Sequence, residues 1–140
     1  MAEAMPFLTF QPSRGATATD AMAFYTGLFD DGAVVSEQRR PDDAPMGAGT
    51  VEVAEIVVAG LHVRCSDSYV EHAWDFTPAV ALWVTCGSGD EHRRLVDGLA
   101  EGGQTFMPLD DYGFGPFAWV QDRFGVSWQL AGPTSTGEGR

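Results

Sequence analysis

The sequence predicts an α+β domain built from two βαβββ modules in tandem. Three observations carry that prediction. Strand and helix periodicities alternate in the same order twice, and the opening strands, at Phe7 and Ala79, stand about 72 residues apart. Each helix opens on a capping pattern, Thr17-x-x-Asp20 in the first half and Ser88-x-x-Glu91 in the second. Each closes on a breaker, Asp30-Asp31-Gly32 and Glu101-Gly102-Gly103. A chain of 140 residues, 44% hydrophobic and 20% charged, holds enough apolar material for one domain-sized core.

The first module spans residues 5–66. Phe7-Leu8-Thr9-Phe10 is a short apolar strand, and the helix after it places Ala18, Met22, Tyr25 and Phe29 at helical spacing. Ala33 to Glu37 reads as a strand, and Pro41 to Gly49 as a loop rich in Pro, Gly and Asp. Val51 to Val58 and Leu61 to Cys65 are strands joined tightly at Ala59-Gly60, as in a hairpin. Residues 67–78 connect to the second module, residues 79–131. There Ala79 to Thr85 is a strand, and the helix after Ser88 has Leu95, Val96 and Leu99 on its apolar side, with His92 on the charged one. Strands follow at Thr105 to Leu109, Phe117 to Gln121 and Val126 to Leu130; residues 132–140 form a flexible tail.

Composition excludes several functions. Eight basic against twenty acidic residues leave a net charge of −12, with little to offer as the basic face a nucleic-acid binder needs. All eight basic residues are Arg, so Schiff-base chemistry and a phosphate-loop Lys are ruled out. No apolar run approaches the ~20 residues of a membrane span, and the first ten residues lack a secretory signal pattern. The expectation is a cytoplasmic protein without membrane or nucleic-acid partners. Cys65 and Cys86 sit in apolar runs and read as small buried hydrophobes rather than a disulfide or zinc site.

Strand side chains alternate between faces, so parity separates the helix-covered face from the other. Val80, Leu82 and Val84 belong under the helices, as do Leu61, Val63, Cys65, Val126, Trp128 and Leu130. The opposite face collects Thr9, Gln11, His62, Arg64, Trp83, Thr85, Trp119, Gln121, Ser127 and Gln129, together with Phe7 and Phe117. Such a mixture of aromatic and polar groups suits a small-molecule pocket. Trp83 and Trp119 call for a cover, and a ligand or a second subunit supplies it equally well. Asp110-Asp111 and Asp122 read as turn chemistry. His62 beside Arg64 is a candidate for anion binding or general-base work, though a satisfied polar residue on a strand is the favoured reading. His72 lies in the connector, and neither it nor His92 has a partner at metal-ligand spacing. Gly87-Ser88-Gly89 stands between strand and helix, but the third glycine of a dinucleotide fingerprint is replaced by His92. No Gly-x-Ser-x-Gly elbow is present.

Three blocks carry a family resemblance: Phe24 to Gly32 (FYTGLFDDG), Phe76 to Cys86 (FTPAVALWVTC) and Met107 to Leu130, with YGFGPFAWVQDRFGVSWQL at its centre. In these blocks and in its element order the chain resembles the vicinal oxygen chelate superfamily of glyoxalase I, bleomycin-resistance proteins and extradiol dioxygenases. The closer likeness is to its PhnB-like branch, which carries a 3-demethylubiquinone methyltransferase-like label. The resemblance spans residues 5 to 130 and implies the glyoxalase/bleomycin resistance fold, a curved mixed sheet with helices outside and a ligand cleft inside. It also implies where metal-using relatives place their ligands: near Phe7, Arg64, Ala79 and Gln129 of this chain. Phe, Arg and Ala cannot complete a metal site. The expectation is therefore a homodimeric protein that binds a small organic molecule without metal or cofactor, its acidity suiting a cationic ligand. A metal-dependent lyase, isomerase or dioxygenase is the alternative, and a methyltransferase a further one.

Overall fold

A computed structural model of the chain describes residues 1–134; residues 135–140, the end of the expected tail, lie outside the described residues. The chain forms two compact units, Met1–Ala73 and a second beginning at Trp74. Among the described residues each contains one α-helix and its own four-stranded mixed sheet, in the βαβββ order that the periodicity predicts, with a short 3-10 turn at Pro12–Arg14 in the first.

In the first unit β1 (Phe7–Phe10), α1 (Ala18–Leu28), β2 (Ala33–Arg39), β3 (Val51–Val58) and β4 (Leu61–Asp67) give the sheet order β1-β4-β3-β2. β1 runs parallel to β4, and the other pairs are antiparallel. The Thr17 hydroxyl caps α1 by accepting from the Asp20 N–H at 3.1 Å. Ala18, Ala21, Met22 and Tyr25 are the buried stripe of the helix, and Phe10, Ala54, Ile56, Val58, Val63 and Cys65 form the core side of the sheet. Asp67, missed in the sequence, ties the two layers together. Its buried carboxylate accepts from the Ala18 N–H at 2.7 Å and the Val51 N–H at 2.9 Å. The hairpin turn places Ala59 at φ 50° and Gly60 at φ 78°, and Asp31 accepts from both of their N–H groups at 2.7 and 2.8 Å. β2 runs to Arg39, beyond the expected Glu37, because β3 continues to pair with it past a bulge.

In the second unit β5 (Ala81–Thr85), α2 (Gly89–Ala100), β6 (Gln104–Asp111), β7 (Pro116–Gln121) and β8 (Ser127–Ala131) give the order β5-β8-β7-β6, again with one parallel pair, β5 and β8. Ser88 accepts from the Glu91 N–H at 3.1 Å, and the Glu91 carboxylate reaches back to the Gly87 N–H at 2.7 Å.

Two expectations are corrected here. β5 begins at Ala81, and Val80 lies before it at 76% exposure, so Val80 is not under the helix. Its side of the strand pattern ends where pairing with β8 begins, at Ala81 opposite Ser127. His92 is not on a charged helix side. It is 1% exposed and its Nε2–H donates to the Leu130 carbonyl at 2.9 Å. His92, Leu95, Val96 and Leu99 are spaced i, i+3, i+4, i+7, and the carbonyl satisfies the ring's donor inside that buried stripe. Among the described residues no helix is long and apolar enough to cross a membrane.

Candidate functional site

Pairing register decides which side chains meet on the sheet face opposite α2. Trp83 on β5 lies opposite Gln129 on β8, and Gln129 lies opposite Trp119 on β7. The three form one row across three strands, with the Gln129 amide between two indoles. Both indole N–H groups are satisfied locally. Trp83 Nε1 donates to Thr85 Oγ1 at 3.0 Å, and Trp119 Nε1 to Ser127 Oγ at 2.8 Å. The rings therefore present apolar faces while their one polar atom is already paired.

More rings extend the row. Phe117, one step along β7, lies 5.9 Å from Trp83, and Phe106 lies 5.3 Å from Trp119 in an edge arrangement. Phe117 also meets Tyr112 at 6.2 Å and Phe114 at 5.4 Å. Trp83 is 58% exposed and Phe114 62%, large apolar areas for side chains of this size. A groove of about 560 Å³ opens at the Phe114 end, bounded by Asp111, Pro116, Pro133 and Thr134. Asp110 and Asp111 close β6 beside these rings, and the Asp111 carboxylate accepts from the Gly113 and Gly115 N–H groups, so the expected turn role is observed. Asp122 likewise holds its turn, accepting from Phe124 and Val126, and also from Trp128 Nε1 at 2.8 Å.

The other residues singled out from the sequence fall into two groups. Thr85 and Gln121 lie on the same face of the second unit's sheet as the aromatic row, Gln121 opposite Ser127. Ser127 itself is 1% exposed beneath Trp119 and offers a ligand no open atom. Thr9, His62 and Arg64 lie in the first unit, on the sheet face turned away from α1. There His62 Nδ1 meets the Glu55 carboxylate at 2.7 Å, a pair the sequence reading missed. Two polar residues on adjacent antiparallel strands are the signal that finds it. Gln11 is buried past the end of β1, where its Oε1 accepts from the His72 N–H at 2.7 Å. It holds the connector and does not open onto a face.

The donor set does not fit a metal. Among the described residues no three His, Cys, Asp or Glu side chains converge. Of the positions implied by the resemblance, Phe7 pairs across from the cationic Arg64, and Ala79 precedes β5 with no donor atom. An S-adenosyl cofactor is also poorly served at the strand-to-helix turn. There Gly87 and Glu91 N–H groups are taken by Glu91 and Ser88, and Asp90 adds a second carboxylate to the helix start. Burial pushes the Cys65 thiol up to about 12, with the Asp67 charge adding to it. The Cys86 thiol rises to about 11, through burial first and the Glu91 charge second. Neither is a nucleophile.

A family model described as 3-demethylubiquinone-9 3-methyltransferase matches residues 2–131. The chain belongs to this family. A solved relative, described as a putative 3-demethylubiquinone-9 3-methyltransferase, PhnB protein, from Bacillus cereus, is 40% identical. It matches over 94% of this chain and 100% of its own, with a TM-score of 0.86. A Pseudomonas aeruginosa protein at 24% identity covers 96% of this chain and 100% of its own, with a TM-score of 0.79. A glyoxylase/bleomycin resistance protein/dioxygenase domain from a Frankia species shares 13% identity over 96% and 94% of the two chains, at a TM-score of 0.63. The last two show the fold alone. Together these show that the chain has the glyoxalase/bleomycin resistance fold. No protein of curated function matches the chain.

Proposed function

We propose that this PhnB-like protein binds a small, flat organic cation on the open face of its second sheet, without metal. The observation that carries this reading is the Trp83–Gln129–Trp119 row, two exposed or half-exposed indoles flanking an amide. Rings supply apolar contact and cation–π attraction, and Gln129 supplies one donor and one acceptor that orient the ligand. Asp110 and Asp111 border the same rings, and no Arg lies on β5, β6, β7 or β8. The net charge of −12 draws cations to the whole surface.

Ethidium serves as the probe, titrated at 0.15 M salt into protein stripped with EDTA. Saturable fluorescence enhancement at one dye per chain, lost in Trp83→Ala, supports the reading. Binding that appears only after a divalent metal is restored favours the metal-dependent lyase, isomerase or dioxygenase instead. The methyltransferase reading has the family description on its side. Calorimetry with S-adenosylmethionine separates it, since the present reading expects no heat from the Gly87 turn. A second copy of the chain is the proposed protein partner.

A further inference from the structure

The first unit carries a group of charged side chains that the aromatic face does not use. Glu55 on β3 lies directly opposite Arg64 on β4, and Val57 directly opposite His62. Glu55, His62 and Arg64 therefore share the face turned away from α1. A cross-strand Glu and Arg would ordinarily pair, but the Glu55 carboxylate goes to the diagonal neighbour, His62 Nδ1, at 2.7 Å. Arg64 is left over. Arg14, Arg39, Arg40 and Arg93 each bond a carbonyl, carboxylate or hydroxyl through the side chain, whereas the Arg64 guanidinium has no hydrogen-bond or ion-pair partner among the described residues. In a chain with twenty acidic residues, an unneutralised guanidinium on an open sheet face is an exception that asks for an anion.

His62 is set in one orientation by its partner. The Glu55 carboxylate accepts from Nδ1–H, so Nε2 is the ring nitrogen left for a ligand. The His62 side chain is 51% exposed and the Glu55 side chain 18%, so the imidazole is the more open member of the pair. Residues two apart on one strand stand about 7 Å from each other on the same face. Phe7, across from Arg64 on β1 and 57% exposed, adds an apolar wall.

We propose that Arg64 and the Glu55-held His62 bind a small oxyanion that carries its own O–H, such as a monohydrogen phosphate or a 2-hydroxy acid. Arg64 takes the charged oxygens through its forked N–H groups, and His62 Nε2 accepts from the hydroxyl. All of these residues belong to the first unit, and the proposal does not rest on the cation-binding reading of the second.

The test is a titration of the full chain with inorganic phosphate at pH 7.5, following the Cε1–H resonances of the three His by NMR, with sodium chloride at matched ionic strength as the blank. A saturable shift of the His62 signal is expected, with His92, buried on the other unit, unmoved. Arg64→Ala should weaken phosphate binding about tenfold or more, as loss of a charge-assisted contact does, and Arg64→Lys, which keeps the charge, should weaken it less. Glu55→Gln, which frees the ring tautomer, should weaken it severalfold. No saturable His62 shift up to tens of millimolar phosphate overturns the proposal. So does a His72 shift of equal size, or binding that survives Arg64→Ala unchanged.

Discussion

Ala59 shows how one side chain compensates for another's strain. At φ 50° it occupies the left-handed region that costs a non-glycine residue about 1–2 kcal/mol. Asp31 holds it there through the two turn N–H groups. Ala59→Gly should therefore raise stability by about 0.5–1 kcal/mol, the strain relieved less the added chain entropy. A denaturant midpoint that falls would show the turn to be unstrained. Thiol chemistry gives a second check. With Cys65 and Cys86 pushed to about 12 and 11, native protein at pH 8 should react with a disulfide reagent only as fast as it unfolds. Rapid reaction of either thiol would contradict the burial. The aromatic row was legible because strand parity is fixed: Trp83, Trp119 and Gln129 alternate with Val84, Val120 and Trp128. Parity gives a face but not what lies over it. Ser127 has the right parity and is closed by the Trp119 indole, and Gln11 has it but lies beyond the end of its strand.

At the scale of the element, α2 is secured to its sheet by an imidazole. His92 donates to Leu130, and Gly132 packs so close that a Cβ there would stand 2.5 Å from Nδ1. Burial lowers the His92 pKa below the ordinary value, with Arg93 adding a little and the Leu130 carbonyl opposing. The folded protein thus prefers the neutral ring. Its contribution to stability is present above the unfolded value near 6.5 and is lost as pH falls through the folded one. The melting temperature should drop more steeply between about pH 7 and pH 5 in the wild type than in His92→Gln, which keeps an N–H for Leu130. Parallel slopes would remove His92 from the acid response. Gly132→Ala should destabilise by roughly 1–3 kcal/mol, the range for overpacking a filled site. The helix caps, the hairpin turn and the helix breakers were all readable from local sequence, because each shows in a run of about four residues; the Asp31 bonds that hold the turn span some thirty residues and were not. Asp67 was not, since its partners Ala18 and Val51 are distant in sequence. The His92 stripe was present in the spacing, but a titratable residue there is ordinarily exposed, and only the Leu130 carbonyl makes its burial tolerable.

For the molecule as a whole, two four-stranded sheets leave edges to be managed. Every residue of β2 is exposed, Val34 and Val35 among them, and β2 is an edge strand. Uncovered edges invite pairing, and closed two-fold pairs are the commonest solution. Light scattering at micromolar concentration should give twice the 15.0 kDa chain mass, and a monomer would count against a self-partner. The order βαβββ twice over was legible because repeated element order survives even where residue identity between the halves is poor. The proposed binding depends on which face of the second sheet is open, and thermal melts with and without ethidium test that most directly. Gln129→Ala should melt close to the wild type yet lose the dye-induced rise, as an orienting amide with few core contacts would. Trp128→Ala should melt far lower, by the roughly 3–5 kcal/mol of a deleted buried aromatic, and keep the rise. The reverse pattern, with Gln129→Ala unfolding early and Trp128→Ala failing to respond to dye, would contradict the assignment of the binding face.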